Sequence, residues 1–353
     1  MNVKCDPVKL ENFFPLTFNF LRKYLQKTVD TCAYCVLCVL RTHNTQYAEN
    51  SHEDPMDIKA AMSRHLRELD QPVITVYDLC MTLFNLHQSK KYRGGRIEVT
   101  RQFPLWNEAY TDVIQPLIDL GIISPHKGFP EERVFEIVGN RYQEAGDIAC
   151  SVDPFAYLSH LSAMEYHGLT NRLPKLLFIS TPPPKEWSEF AAQKMEKDCR
   201  GFVTDYLKGQ LPKLVNIQFD RIQKTQITRY ASVHRGAFKN IEGRKLRVST
   251  IGRTFLDMLR KPDYCGGMRH VMEIFGSSAG QYKRLIIDEL DRHGNAIEKA
   301  RAGYLLEDYG HIQDEKINEW AKHVQRGGSR KLDPEGPYRE TFSERWSLSL
   351  NVD

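Results

Sequence analysis

Three cysteines at three-residue intervals, Cys32, Cys35 and Cys38, followed by His43, form the first pattern in this chain with chemical potential. Two thiolates one helical turn apart can clasp a zinc or iron ion. A structural zinc site closes its shell with four ligands, however, and the neighbours here are Val, Leu and Tyr with no turn-forming glycine. The same spacing is that of small buried apolar residues on one helix face, and free Cys behaves as such a residue. The sequence therefore predicts no bound metal and no cofactor. Catalytic patterns are thin elsewhere: there is no Walker loop, no H-E-x-x-H and no G-x-S-x-G. Asp220 with Lys224 comes nearest to the acid–lysine pair of a metal nuclease, but Gln223 stands where a further acid is needed. His160 and His167, with Glu165 near, suit buried or capping roles better than acid–base ones. The chain does not read as an enzyme.

Phosphate recognition is the chemistry its side chains suggest. Residues 221–260 carry ten bases, Arg221, Lys224, Arg229, Arg235, Lys239, Arg244, Lys245, Arg247, Arg253 and Arg260, against Glu242 and Asp257. That is a local charge of +8 in a chain whose whole net charge is +4, with Tyr230, His234 and Phe238 interleaved. The expectation is a basic surface that engages a polyanion. Earlier in the chain, Lys90, Lys91, Arg93 and Arg96 share a Gly-containing loop, and His126, Lys127 and Arg133 flank a Pro/Gly turn. Between them, Asn107, Thr111 and Gln115 are short polar groups able to reach base edges. Glu108, Asp112 and Asp119 on the same segment oppose phosphate, so the loop and the turn would have to supply the backbone contacts.

These residues need elements to hold them. Residues 1–55 read as an N-terminal extension, and Met56 or Met62 is a candidate native start. From 56 to 140 the pattern is helix, helix, basic loop, helix and hairpin. Residues 57–69 and 76–87 are helix-like; Leu105, Ala109, Val113, Leu117 and Leu120 mark a further helix that Pro116 should kink or split. Ile122-Ile123 and residues 134–138 then form a two-stranded wing. This is the outline of a winged helix-turn-helix. Residues 141–353 read as a mixed α/β domain. A short helix is expected over 157–167 and strands over 175–180, 214–219 and 245–249. Helices are expected over 252–259, 268–275, 282–291, 296–309 and 314–324, with a terminal strand over 345–351. The fold class is thus α+β. The longest apolar run, Cys32 to Leu40, is half the roughly 18 residues a membrane helix needs. It is also placed too late for a signal peptide. With eight cysteines and no export signal, reduced thiols, a cytoplasmic location and no membrane partner are expected.

Several segments of the second half together resemble the AbiEi family, antitoxins of type IV toxin–antitoxin (abortive infection, phage defence) systems. Residues 156–169 (AYLSHLSAMEYHGL) are similar to the family's Y-[VL]-S-x-x-S-A-L-x-x-H-G-L stretch. Residues 248–257 (VSTIGRTFLD) resemble its strand-to-helix R-T-[LF]-L-D element, which runs on to Gly266-Gly267. Residues 301–307 (RAGYLLE) resemble its G-Y-L-L-E helix, and Leu332-Asp333-Pro334 with residues 345–351 (RWSLSLN) close the set in order. The resemblance implies a winged helix that represses its own operon by binding operator DNA, and a C-terminal domain needed for antitoxicity. The toxin it implies is a neighbouring nucleotidyltransferase, neutralised without a stable complex. A competing expectation is a protein-interaction module whose basic C-terminal face grips an acidic protein or RNA.

Overall fold

The computed structural model describes residues 55–100, 102–140, 143–233, 237–324 and 330–352, which form a mixed α+β structure. The extension, with Cys32, Cys35, Cys38 and His43, lies outside the described residues, as do His234 and Arg235.

Strand β1 (Met56–Asp57) leads into helix α1 (Ile58–Glu68), which buries Ala61, Met62 and Leu66. Strand β2 (Val73–Thr75) turns into α2 (Val76–Ser89), where the Thr75 hydroxyl accepts from the Asp78 N–H and satisfies one free helix donor. Residues 90–96 form a hairpin and not a loop: β3 (Lys91–Tyr92) pairs with β4 (Gly95–Glu98). Arg93 and Gly94 at its tip both have positive φ, the arrangement that matches strand twist in a two-residue turn. Helix α3 spans 106–119 without the break expected at Pro116. Its middle, Tyr110–Ile114, widens into a π turn, which accommodates the ring and its missing N–H. Strands β5 (Ile123–Pro125) and β6 (Val134–Ile137) follow, and β2 joins them in a three-stranded antiparallel sheet ordered β2-β6-β5.

Helix α4 (Ala145–Val152), strand β7 (Tyr157–Leu158) and helix α5 (His160–Tyr166) come next, so the segment expected as one helix begins as a strand. Strand β8 (Leu176–Thr181), helix α6 (Pro184–Asp198), helix α7 (Val203–Lys208), β9 (Arg221–Ile222), β10 (Thr225–Ala231), β11 (Phe238–Asn240) and β12 (Arg247–Ser249) build the central layer. Its six-stranded sheet is ordered β11-β12-β7-β8-β10-β9. Residues 214–219, expected as a strand, are not in it. Strand β10 already pairs with β8 and β9, and Ile217 and Phe219 instead bury their side chains against the sheet's core. Helix α6 was hidden behind Thr181-Pro-Pro-Pro184, which read only as a break, although proline suits a first helical turn. It carries Trp187, Ala191 and Met195 into the same core as Leu66, Phe84 and Ile114, so residues 56–140 do not bury their apolar faces alone.

Helix α8 (Ile251–Arg260) starts from the Thr250 cap, and α9 (Met268–His293) is one 26-residue helix where two were expected. Gly276 and Gly280 do not interrupt it, because its apolar stripe, Val271, Phe275, Ala279 and Ile286, is continuously buried. Gly252 lets α8 approach the Leu285 carbonyl of α9 to a distance no Cβ would permit. Helices α10 (Ala296–Asp308) and α11 (Glu315–Lys322) and the hairpin β13 (Phe342–Ser343) and β14 (Leu348–Ser349) complete the fold. The Trp346 indole lies on Gly303 of α10 and donates to Glu307 at 2.9 Å, while Arg345 grips the same carboxylate with two bonds.

Candidate nucleic-acid interface

Helix α3 presents Asn107 and Thr111 to solvent, while Gln115 is half-buried. Two of the three are already engaged: Thr111 donates to the Asn107 carbonyl and Gln115 donates to Asp119 at 2.8 Å. Glu108 accepts from the Leu105 N–H and so serves as the cap of its own helix. The chain between β5 and β6 folds over His126, whose Nδ1 accepts from the Gly128 N–H and whose ring meets Phe129 edge-on. Lys127 and Arg133 are exposed on this wing, beside Glu131 and Glu132. Tyr110 of α3 donates to Glu132 at 3.2 Å, which ties helix to wing; burial and the Glu132 charge raise the Tyr110 pKa. Helix α3 and the β5–β6 hairpin therefore expose two bases, Lys127 and Arg133, among Glu108, Asp112, Asp119, Glu131 and Glu132.

The β3–β4 hairpin exposes Lys90, Lys91, Arg93 and Arg96. Arg93 and Tyr92 both reach Glu68 at the end of α1, at 2.9 and 2.7 Å, which leaves Lys90, Lys91 and Arg96 as its unpaired exposed bases, with Glu98 exposed beside them.

The 221–260 segment does not form the single basic surface expected of it. Arg221 lies on β9 and Lys224 in the turn beyond it, whereas Lys239 lies on β11, at the opposite edge of the six-stranded sheet. Five inter-strand spacings of about 4.8 Å separate those edges. The arginines turn inward. Arg247 is buried and donates to the carbonyls of Cys150, Asp153 and Ala156, each at 2.7 Å. Arg253 is fully buried and pairs with Asp257. Arg244 is held by Asp147 and Glu144, and Arg229 lies 3.9 Å over the Phe219 ring while donating to the Ile217 carbonyl.

Among the described bases of that segment, Lys245 joins bases from another element. It lines a cleft of about 420 Å³ between α2 and α6, together with Lys194, Lys197, Arg200 and, from the far wall, Asp78. Asp198 Oδ2 accepts there from both Lys194 at 2.7 Å and Tyr77 at 2.8 Å. Burial pushes the Lys245 pKa down and the Asp78 pKa up. The i, i+3 spacing of Lys194 and Lys197 was visible in the sequence, but without helix α6 it had no face to mark.

No family model matches the chain, and no curated protein does. A solved structure, that of the RV2827C protein from Mycobacterium tuberculosis, is similar over 81% of this chain and 88% of its own, at 12% identity and a TM-score of 0.40. No helix among the described residues is long and apolar enough to cross a membrane.

Proposed function

We propose that this chain is a cytoplasmic AbiEi-type antitoxin that represses its own operon through a winged helix over residues 56–140 and has no catalysis of its own. The observation that carries the reading is the chain order of the first half. Helix α1, strand β2, helix α2, helix α3 and the strands β5 and β6 follow in that order, with the β3–β4 hairpin inserted between α2 and α3 and β2 closing the sheet beside β6. That is the order in which winged helices expose one helix and one hairpin to a DNA groove. In this reading Asn107 reads bases, while Lys127 and Arg133 on the wing and Lys90, Lys91 and Arg96 on the hairpin contact phosphate. The four C-terminal segments that resemble AbiEi antitoxins support the second half of the reading, and relief of a neighbouring nucleotidyltransferase toxin is the activity it implies.

Binding of the purified chain to its upstream region, against scrambled DNA, tests the repressor role; equal affinity for both removes it. Co-expression with the neighbouring nucleotidyltransferase tests the antitoxin role, and growth arrest unrelieved by this chain removes that.

A second reading is favoured by the surplus of carboxylates on α3 and the wing. A winged helix with that surface suits a basic protein partner better than phosphate. Salt-sensitive association with a basic partner that survives nuclease treatment, alongside absent operator binding, selects it.

A further inference from the structure

Tyr157, Ser180 and Tyr230 are direct partners across β7, β8 and β10, so their side chains share one face of the central sheet, and Ser232 follows on that face two residues later. Helix α8 sets Arg253 and Asp257 against them, one turn apart. His160 opens α5 with a φ of 50° and packs its ring on Tyr230 at 4.9 Å. Buried polar atoms in native proteins are nearly always hydrogen-bonded. Among the described residues, His160 Nε2, Arg253 Nη1 and Asp257 Oδ2 are buried here without a hydrogen-bond partner.

Arg253 also borders a cavity of about 450 Å³, which it shares with Tyr230, Ser232, Arg260, Glu298 and Arg301. That volume lies within the range of small-molecule sites. Its three arginines are bonded unequally. Asp257 is taken by Arg253 at 2.7 Å, and Glu298 by Arg260 through two bonds of 2.7 and 3.2 Å. Glu298 further accepts from the Asn295 N–H at the start of α10. Arg301 is buried and donates only to the Leu259 and Lys331 carbonyls, so no carboxylate bonds to its charge. Glu298 and Asp333 act on Arg301 only through space, and a planar guanidinium fork that no carboxylate bonds matches the geometry of an oxyanion.

We propose that this arginine-lined cavity binds a small phosphate-bearing ligand, with Arg301 and Arg260 on its oxygens and Arg253 as the buried anchor behind them. The inference does not rest on the antitoxin reading, since neither operator DNA nor a toxin enters it.

The test is calorimetric titration of the full chain with inorganic phosphate, pyrophosphate and a nucleoside 5′-monophosphate, each against chloride and sulfate at matched ionic strength. Saturable binding of one equivalent by a phosphate compound is expected. Preference for inorganic phosphate would identify a free-anion site, and preference for the nucleotide an organic one. Losing the charged bonds of Arg301→Gln should weaken binding by about tenfold or more. Arginine modification by phenylglyoxal, mapped by mass spectrometry on the parent chain, supplies a second readout that does not depend on the variant's folding: ligand should shield Arg301 and Arg260 in step with saturation. Heats indistinguishable from those of chloride, or saturable binding that leaves both arginines fully reactive, would overturn the proposal.

Discussion

Residues 90–133 and residues 221–260 are the two base-rich stretches of this chain, and their bases end in different surroundings. In the first, Lys90, Lys91, Arg96, Lys127 and Arg133 sit on hairpins and stay in solvent. In the second, Arg247 and Arg253 go to the interior, Arg244 is clamped by two carboxylates, and among the described residues only Arg221, Lys224, Lys239 and Lys245 remain exposed. The denser run is thus the poorer surface. The residue type explains much of this: a guanidinium can satisfy several carbonyls at once and is weakly hydrated, so it can be built into a core, whereas a lysine ammonium keeps its water. Charge counted along a chain does not by itself measure solvated charge, because the partners that the fold sets around each base decide which of them stay in water.

The sharpest way to break this contrast is to truncate one arginine from each side. Arg253→Ala leaves the Asp257 carboxylate buried and unpaired and should cost about 3–5 kcal/mol, read as a lowered urea midpoint. Arg221→Ala, on the exposed edge strand, should stay within about 0.5 kcal/mol of the parent. Similar losses in the two variants would erase the distinction between interior and surface bases.

Acid provides the next largest effect. Burial holds the His160 pKa below its ordinary value of 6.5. The unfolded chain therefore takes up a proton as pH falls through 6.5 while the folded chain does not, so stability is full above that value and is lost below it. One such group contributes a loss of up to about 1.4 kcal/mol per pH unit. Unfolding curves at pH 7 and pH 5.5 should diverge less in His160→Gln than in the parent; identical divergence would remove His160 from the account.

On the solvent side, Lys127→Ala with Arg133→Ala should lower operator affinity and reduce the slope of log K against log salt by about 1.8, since each phosphate contact contributes about 0.9. An unchanged slope would take the wing out of the interface. Smallest of all, Arg93→Ala removes an exposed ion pair with Glu68 and should change stability by less than about 1 kcal/mol. A larger loss in thermal unfolding would mean that the hairpin is anchored through that pair.

How far the sequence could be read follows the same division. The periodic apolar positions of α2, α3 and α8 and the turn residues between β5 and β6 are local signals, and they placed those elements closely. The merger of 268–275 and 282–291 into α9 was not legible, because Gly276, Ser277, Ser278 and Gly280 look like a break until Phe275 and Ala279 are seen packed against neighbouring helices. Strand β10 was missed for a related reason. Thr225–Ala231 alternates weakly, and its place beside β8 depends on a partner more than forty residues away. The candidate wing residues could be named in advance, but which arginines of 221–260 would be solvated depends on sheet order, and no local pattern carries that. The cluster of Tyr157, His160, Arg253 and Asp257 was hidden for the same reason, since two separate segments meet only across the sheet.

The central claim, that residues 56–140 read operator DNA, is tested most directly by binding of the purified chain to its own upstream region and to a scrambled duplex across a salt series. The account predicts selective binding that persists at moderate salt, with a slope set by the handful of bases on the wing and the β3–β4 hairpin. Weak binding that is equal on both duplexes would contradict it and leave the acidic face of α3 as a protein-docking surface.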